Sequence, residues 1–555
     1  MHDIAVAPTD EPSSTRRRSS SSRSGPPGVV WAVTALHVGL LLVATLLYPA
    51  FTGFDEAQHV DAVLTIRHGD GWPAPQEREL SEGVVNVATP TLQELRTLPF
   101  SDDEPPPRAE RPSVASQGVD RQSTDQVLPN QMTQHPPLYY ALGAAVLAAV
   151  PGSLDWPFDR TVGVLRLLSV LLMAPLPLLA WATASALGAS RTTGITGALL
   201  AVSVPQLQRV GGSVNNDAGY TLAFAVSVVL LARIAMGDLR RRTVVTTGVV
   251  VGLALLTKGF ALALPLAVAL CFVVGGRRSS TPRWALSGLA CLVVAFAVGG
   301  WWWLRNLVLY GTVQPNGWPL ADMRRVLRLE SRAPGDEASV TAFVDGAWML
   351  LTQRFWGGLA INYAGPDVFP FALTNVLAAG ALLAVVAAVL LARGRRLPLL
   401  VSVGVPFAGT VGIVLYGIWS YYSFTPHFPG AQGRYLFGAL PSMAAAVALG
   451  LTVLLRRADR VLPLLAALLA FGMQAWGLLY VLRRSWLPPY EGRSRLDRFR
   501  DALEGVAEWA PWPEPVTVAV FVLPALAGAV LLALVVRLAV TGGPAPEAAG
   551  TPTAV

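Results

Sequence analysis

Charge is what this chain has least of. Only 14% of its 555 residues are Asp, Glu, Lys or Arg, against about 25% in an ordinary soluble domain. A soluble protein of this length would form roughly three or four domains, and so few charges would not coat their surfaces. Cysteine is nearly absent too. Cys271 and Cys291 are the only two, and each lies in an apolar run. A disulfide framework and a cysteine metal cluster are therefore excluded, and two buried thiols are expected. The first 28 residues lack the apolar core of a signal peptide; they are polar, with Arg16, Arg17, Arg18 and Arg23 among serines and prolines. They read as a disordered tail kept on the cytoplasmic side by its arginines. The Pro-, Gly- and Ala-rich stretch 541–555 is expected to stay unfolded. No lipidation motif, internal repeat or matching pair of broken helices is visible.

What the chain has in abundance is apolar sequence: 53% hydrophobic residues, with a mean hydropathy of +0.49. Runs of roughly 15 to 25 apolar residues, long enough to cross a bilayer as helices, recur at 29–50, 136–150, 160–187, 192–207, 214–235, 243–257, 259–274, 284–304, 371–392, 397–416, 435–455, 461–482 and 516–537. The prediction is an all-α, polytopic membrane bundle. Short connections carry Arg240–Arg242, Arg277/Arg278/Arg283, Arg393/Arg395/Arg396 and Arg456/Arg457/Arg460, and basic short loops favour the cytoplasm. Walking from 214–235 to the C-terminus puts every cluster inside and leaves 211–217 outside. Walking from the N-terminus agrees only if one earlier run fails to cross. The run 136–150 is the shortest and starts at His135-Pro136-Pro137; it reads as a partly inserted helix. About twelve crossings follow, with both termini inside. The basic inner face accounts for the sequence pI of 9.7 without a nucleic-acid partner.

The outer side then holds nearly all the irregular chain: loops 51–135 and 305–370 in a transmembrane module 29–482, and the segment 483–515 before a last span, within 483–540. Within the first loop 54–68 reads as helical, and 99–130, rich in Pro, Asp and Ser, as mobile.

Charged groups at membrane depth are expensive and point to function. Six places carry them, all on the outer side. After the first span comes Phe54-Asp55-Glu56-Ala57-Gln58-His59; on a helix Asp55 and His59 share a face, and a carboxylate there can act as a base toward a hydroxyl. Solvated charges on an interfacial helix fit this segment equally. Gln134-His135-Pro136-Pro137-Leu138-Tyr139-Tyr140 places His135 before a helix start, facing a ligand or water. Asn215-Asn216-Asp217 opens a span, where Asp217 could serve only the helix dipole. Lys258 interrupts two apolar runs, Arg305 follows Trp301-Trp302-Trp303, and Arg434 stands at a helix start, where a cation opposes the dipole and calls for an anion. Carboxylates, a histidine and three cations on one side suit transfer of a group from a lipid-linked phosphate.

In these motifs and their order over about 29–455, with Tyr310-Gly311 and Gln432-Gly433-Arg434-Tyr435, the chain resembles the multi-spanning glycosyltransferases of the GT-C superfamily. It is most similar to bacterial members related to protein mannosyltransferases and aminoarabinose transferases and to the predicted membrane-protein family DUF2142. The resemblance implies a helical bundle with a large first outer loop, a polyprenyl-phosphate sugar as donor, and an envelope glycan, lipid or protein as acceptor. It implies Asp55 as base with Glu56 beside it, Asp217 as the second acidic position, and Lys258, Arg305 and Arg434 on the donor phosphate. His59 and His135 join as further site residues. A divalent cation serves some relatives only and is left open. The chain lacks the large soluble C-terminal domain of better-known members, and 483–515 matches none of their motifs. Ala, Arg and Gly usage suggests a high-GC bacterium of the actinomycete kind, and the enzyme is expected in its plasma membrane with the site outside. Two other readings stay open: a transporter or flippase of a lipid-linked precursor, and a non-catalytic envelope-assembly subunit.

Overall fold

A computed structural model describes residues 25–541 apart from 95–98, 101–104, 114, 119–121, 124–128, 280–281, 320–323, 326–328, 334 and 361–368. The expected tails therefore lie almost wholly outside the described residues, as does much of the stretch 99–130. The described residues are helical, with no strand beyond two isolated bridges, Ser81 with Gln122 and Ser113 with Pro157.

Among the described residues ten helices are long and apolar enough to cross a membrane: Gly28–Leu47, Phe158–Ala186, Asp217–Ala235, Gly259–Gly276, Trp284–Tyr310, Phe371–Leu391, Arg396–Tyr422, Gly433–Leu454, Leu462–Ser485 and Glu514–Thr541. A count of twelve also needs the shorter Arg191–Val202 and Arg241–Leu255. Proline sits in the first turn of several helices, including Leu264–Gly276, Leu440–Leu454 and Leu462–Ser485, where its missing N–H costs nothing. Small residues let backbones touch, as bundles in lipid require; a Cβ at Gly450 would collide with the Ala384 carbonyl. Leu138–Ala149 has 12 residues, about 18 Å, and packs on the helix Glu56–His68. The helix ending at Tyr310 runs past the expected loop boundary at 305, so Arg305 is helical. The segment 483–515 holds an amphipathic helix, Arg495–Trp509. Both cysteines are buried and unbridged.

The bundle has two unlike ends. At one, short basic connections meet. Arg278 donates to the Gly394 carbonyl, Arg395 to the Gly188 carbonyl, and Thr193 bonds Thr452 at 3.1 Å. At the other, three irregular segments interlock. Gln314 Nε2 donates to the Gln134 carbonyl (3.2 Å) and Trp318 Nε1 to the Pro129 carbonyl (2.9 Å), tying the second loop to the first. Trp486 Nε1 donates to the Leu47 carbonyl (3.0 Å), and Arg108 and Arg111 donate to carbonyls of 507–510.

Candidate active site

At the irregular end, four charged side chains from four chain segments form one linked row. Asp217 is the first residue of the helix Asp217–Ala235. The hydroxyl of Tyr139 accepts from the Asn215 backbone N–H (3.1 Å) and bonds Ser169 (2.8 Å), which pins that helix start. Lys258 stands at the break between Arg241–Leu255 and Gly259–Gly276, and its Nζ reaches Asp217 Oδ1 at 2.5 Å and Asn216 Oδ1 at 3.2 Å. Arg434 enters on the 3₁₀ turn Gly433–Ala439. Gly433 is required there, because a Cβ would collide with the Phe355 backbone. Arg434 Nε lies 3.5 Å from Asp217 Oδ2, and Nη2 lies 3.4 Å from Asp55 Oδ2.

Asp55 ends the row. It precedes the helix Glu56–His68 in a left-handed conformation, φ 52° and ψ 27°, four residues after Phe51, also left-handed at φ 69°. Two such non-glycine residues in one short segment are a local strain of the kind found at functional sites. The Asp55 side chain keeps 30% exposure, against 4% for Asp217, so Asp55 is the more accessible of the two carboxylates.

Glu56, expected beside Asp55 in the site, does not join the row. Its side chain is fully buried and forked by Arg166, Nε to Oε1 at 2.8 Å and Nη2 to Oε2 at 2.6 Å. The Val214 and Gly53 backbone N–H groups donate to it as well, leaving it no capacity to take a substrate proton. Arg166 spends its remaining donors on the Thr45, Tyr48 and Pro49 carbonyls, stapling the end of the first span to the segment that carries Asp55. Of the three expected cations, the structure brings two together. Lys258 and Arg434 meet at Asp217, whereas Arg305 lies over the rings of Trp302 (4.9 Å) and Tyr310 (5.6 Å) and bonds Asn306 Oδ1 at 3.2 Å, all on its own helix.

The histidines flank the row. His59 Nδ1 bonds the Tyr140 hydroxyl at 3.1 Å, and Tyr140 stacks on Trp72. Burial, then the charges of Lys258, His135 and Arg434, holds His59 well below the usual imidazole range. Burial, then Lys258, pushes His135 down to about 3. Both are neutral at physiological pH, and the buried Nδ1 of His135 finds no hydrogen-bond partner among the described residues. Sequence reasoning missed Arg166 and Arg209. The latter donates to the Gly358, Ala360 and Thr52 carbonyls, and Phe54 packs against both Arg209 (3.8 Å) and Arg434 (3.9 Å). Among the described residues no three His, Cys, Asp or Glu side chains cluster as metal ligands. A row whose two carboxylates are already engaged by cations does not fit a divalent ion.

The fold is similar to those of two solved membrane proteins. ArnT from Cupriavidus metallidurans, bound to undecaprenyl phosphate, superposes with a TM-score of 0.42 at 14% identity over 92% of this chain and 77% of that one. The oligosaccharyltransferase of Archaeoglobus fulgidus, in complex with zinc and sulfate, gives 0.41 at 15% identity over 88% of this chain. The chain spans 57% of the archaeal protein's length. No curated protein sequence matches it. Residues 38–443 match the model described as predicted membrane protein (DUF2142). Most of the chain is thereby covered, and the protein belongs to the DUF2142 family of predicted membrane proteins.

Proposed function

We propose that this protein is a membrane glycosyltransferase. It takes a sugar from a polyprenyl-phosphate donor and passes it to a hydroxyl of an extracytoplasmic envelope glycan, lipid or protein. The observation that carries the reading is the row Asp55–Arg434–Asp217–Lys258, which places a reachable carboxylate next to two buried cations. A guanidinium has five donors and an ammonium three, so each cation can keep its carboxylate and still take a phosphate oxygen.

The depth of the row supports a lipid-linked donor. Arg241–Leu255 has 15 residues, a rise of about 22 Å against a hydrocarbon core of about 30 Å. With Arg240–Arg242 at the inner headgroups, Lys258 lies several ångström below the outer surface. A lipid phosphate arriving sideways through the outer leaflet meets it there.

In the reaction, the acceptor oxygen attacks the anomeric carbon of the sugar and its proton passes to Asp55. The bond from that carbon to the phosphate oxygen breaks. Polyprenyl phosphate leaves with the electron pair, its charge met by Arg434 and Lys258. One displacement inverts the anomeric centre and needs no second carboxylate as nucleophile. His135, neutral and with an unspent ring nitrogen, is placed to bond a sugar or acceptor hydroxyl.

The test is Asp55→Asn, assayed with a lipid-linked sugar that the wild type uses. General-base help is typically worth 10²–10⁴-fold, so transfer should fall at least about a hundredfold while membrane abundance and donor binding stay normal. Full transfer by this variant would remove the mechanism.

A further inference from the structure

The opposite end of the bundle holds a second charged feature that the proposed chemistry does not use. Among the basic connections lies a cavity of about 960 Å³. Its charged lining is Arg191, Arg233, Arg240 and Asp238, and its apolar lining includes Trp181 and Leu239. Asp238 does not balance the arginines, because Arg240 holds both its oxygens, Nε and Nη2 each at 2.7 Å. No ion pair engages Arg191 or Arg233 among the described residues, and both are exposed. Two helix N-termini border the same space. Arg191 opens Arg191–Val202, and Arg240 caps Arg241–Leu255. An arginine at a helix N-terminus stands against the positive end of the dipole. Asp238 offsets one of the three arginines, so the cavity keeps an excess of two positive charges, which suits an anion.

We infer that this cavity is a binding site for the phosphate headgroup of an anionic phospholipid of the cytoplasmic leaflet. Charge complementarity gives the class of ligand, and position selects the lipid over a soluble anion. Arg233 lies in the last turn of the helix that starts at Asp217, so the cavity is one membrane-crossing helix away from the catalytic row and level with the inner headgroups. The apolar wall at Trp181 and Leu239 suits the glycerol and first acyl carbons, and the arginines suit the phosphate. The volume falls in the range of small-molecule sites. The site is independent of the glycosyl-transfer reading, since no residue is shared.

The test is native mass spectrometry of the full-length protein equilibrated with phosphatidylglycerol or with phosphatidylcholine of the same chains. The wild type should retain phosphatidylglycerol in preference. Arg191→Gln combined with Arg233→Gln should weaken that retention roughly thirtyfold, about fivefold for each cation near an anionic headgroup. Arg191→Lys with Arg233→Lys should preserve most of it, which separates lost charge from lost folding. Equal retention of the two lipids by the wild type overturns the site. So does unchanged phosphatidylglycerol retention in the glutamine variant. Glycerol 3-phosphate competing at micromolar concentration would make the ligand a soluble phosphate and overturn the lipid assignment.

Discussion

The two ends of this bundle use arginine in opposite ways. At the irregular end Arg166, Arg209 and Arg434 are buried, and each donates to named carboxylates or carbonyls. At the basic end Arg191 and Arg233 are exposed, and no ion pair engages either among the described residues. A buried guanidinium is tolerated where carboxylates or carbonyls meet it, as they do at this end. An exposed one is worth little to the fold and stays available to lipid.

The sharpest way to break this contrast is Arg166→Met. It strands Glu56 as a buried carboxylate without its cation, a loss of about 3–5 kcal/mol, and should abolish accumulation of folded protein, read by detergent-solubilised yield and thermal unfolding. Glu56→Gln, which leaves Arg166 unmatched, should likewise lower abundance before it lowers turnover per folded molecule. Normal abundance with a specific turnover defect would return Glu56 to the chemistry.

Next is Lys258→Met. Asp217 keeps Arg434, so the fold should persist. Donor affinity should fall about ten- to a hundredfold, the worth of one hydrogen bond to a charged group, measured as KM for the lipid-linked sugar. The corresponding change at Arg305→Met should be much smaller, because that guanidinium is occupied on its own helix.

A gentler perturbation is pH. The folded pKa of His135, about 3, lies below its unfolded value of 6.5. Between these values the unfolded chain takes up a proton that the folded one refuses. Stability from this residue is therefore complete above pH 6.5 and is lost as pH falls toward 3. Thermal unfolding should move to lower temperature from pH 7 to pH 4.5, and His135→Gln should flatten that dependence. At the small end, Arg393→Gln on the basic side should change stability by less than about 0.5 kcal/mol.

The helices and the charged row were largely legible. Long apolar runs fix spans, and Asp217, Lys258 and Arg434 stand out as charges where apolar sequence breaks. Adjacent Asp55 and Glu56 were not separable in sequence. Asp55 stands in a left-handed conformation just before the helix that Glu56 begins, so one neighbour faces the opening and the other faces Arg166. Arg166 gave the same signal as Lys258, a lone cation in an apolar run. Its role was hidden because its partner lies 110 residues away and had been given a catalytic task. Arg305 misled because a charge beside a tryptophan belt reads the same whether it faces a substrate or stacks on its own helix.

The break at Lys258 bears on how the chain is made. Arg241–Leu255 is short for a membrane span, and in the twelve-crossing reading Lys258 is carried to the far side with it. As the ribosome delivers the chain, Asp217 is already in place at that depth, in the preceding span. An ammonium arriving opposite a waiting carboxylate avoids part of the cost, a few kcal/mol, of a lone charge crossing lipid. The helix pair on either side of the break then enters as a hairpin rather than as two independent segments. Asp217→Asn should therefore trap some molecules with Lys258 on the cytoplasmic side, a defect of biogenesis that exists before any sugar is bound.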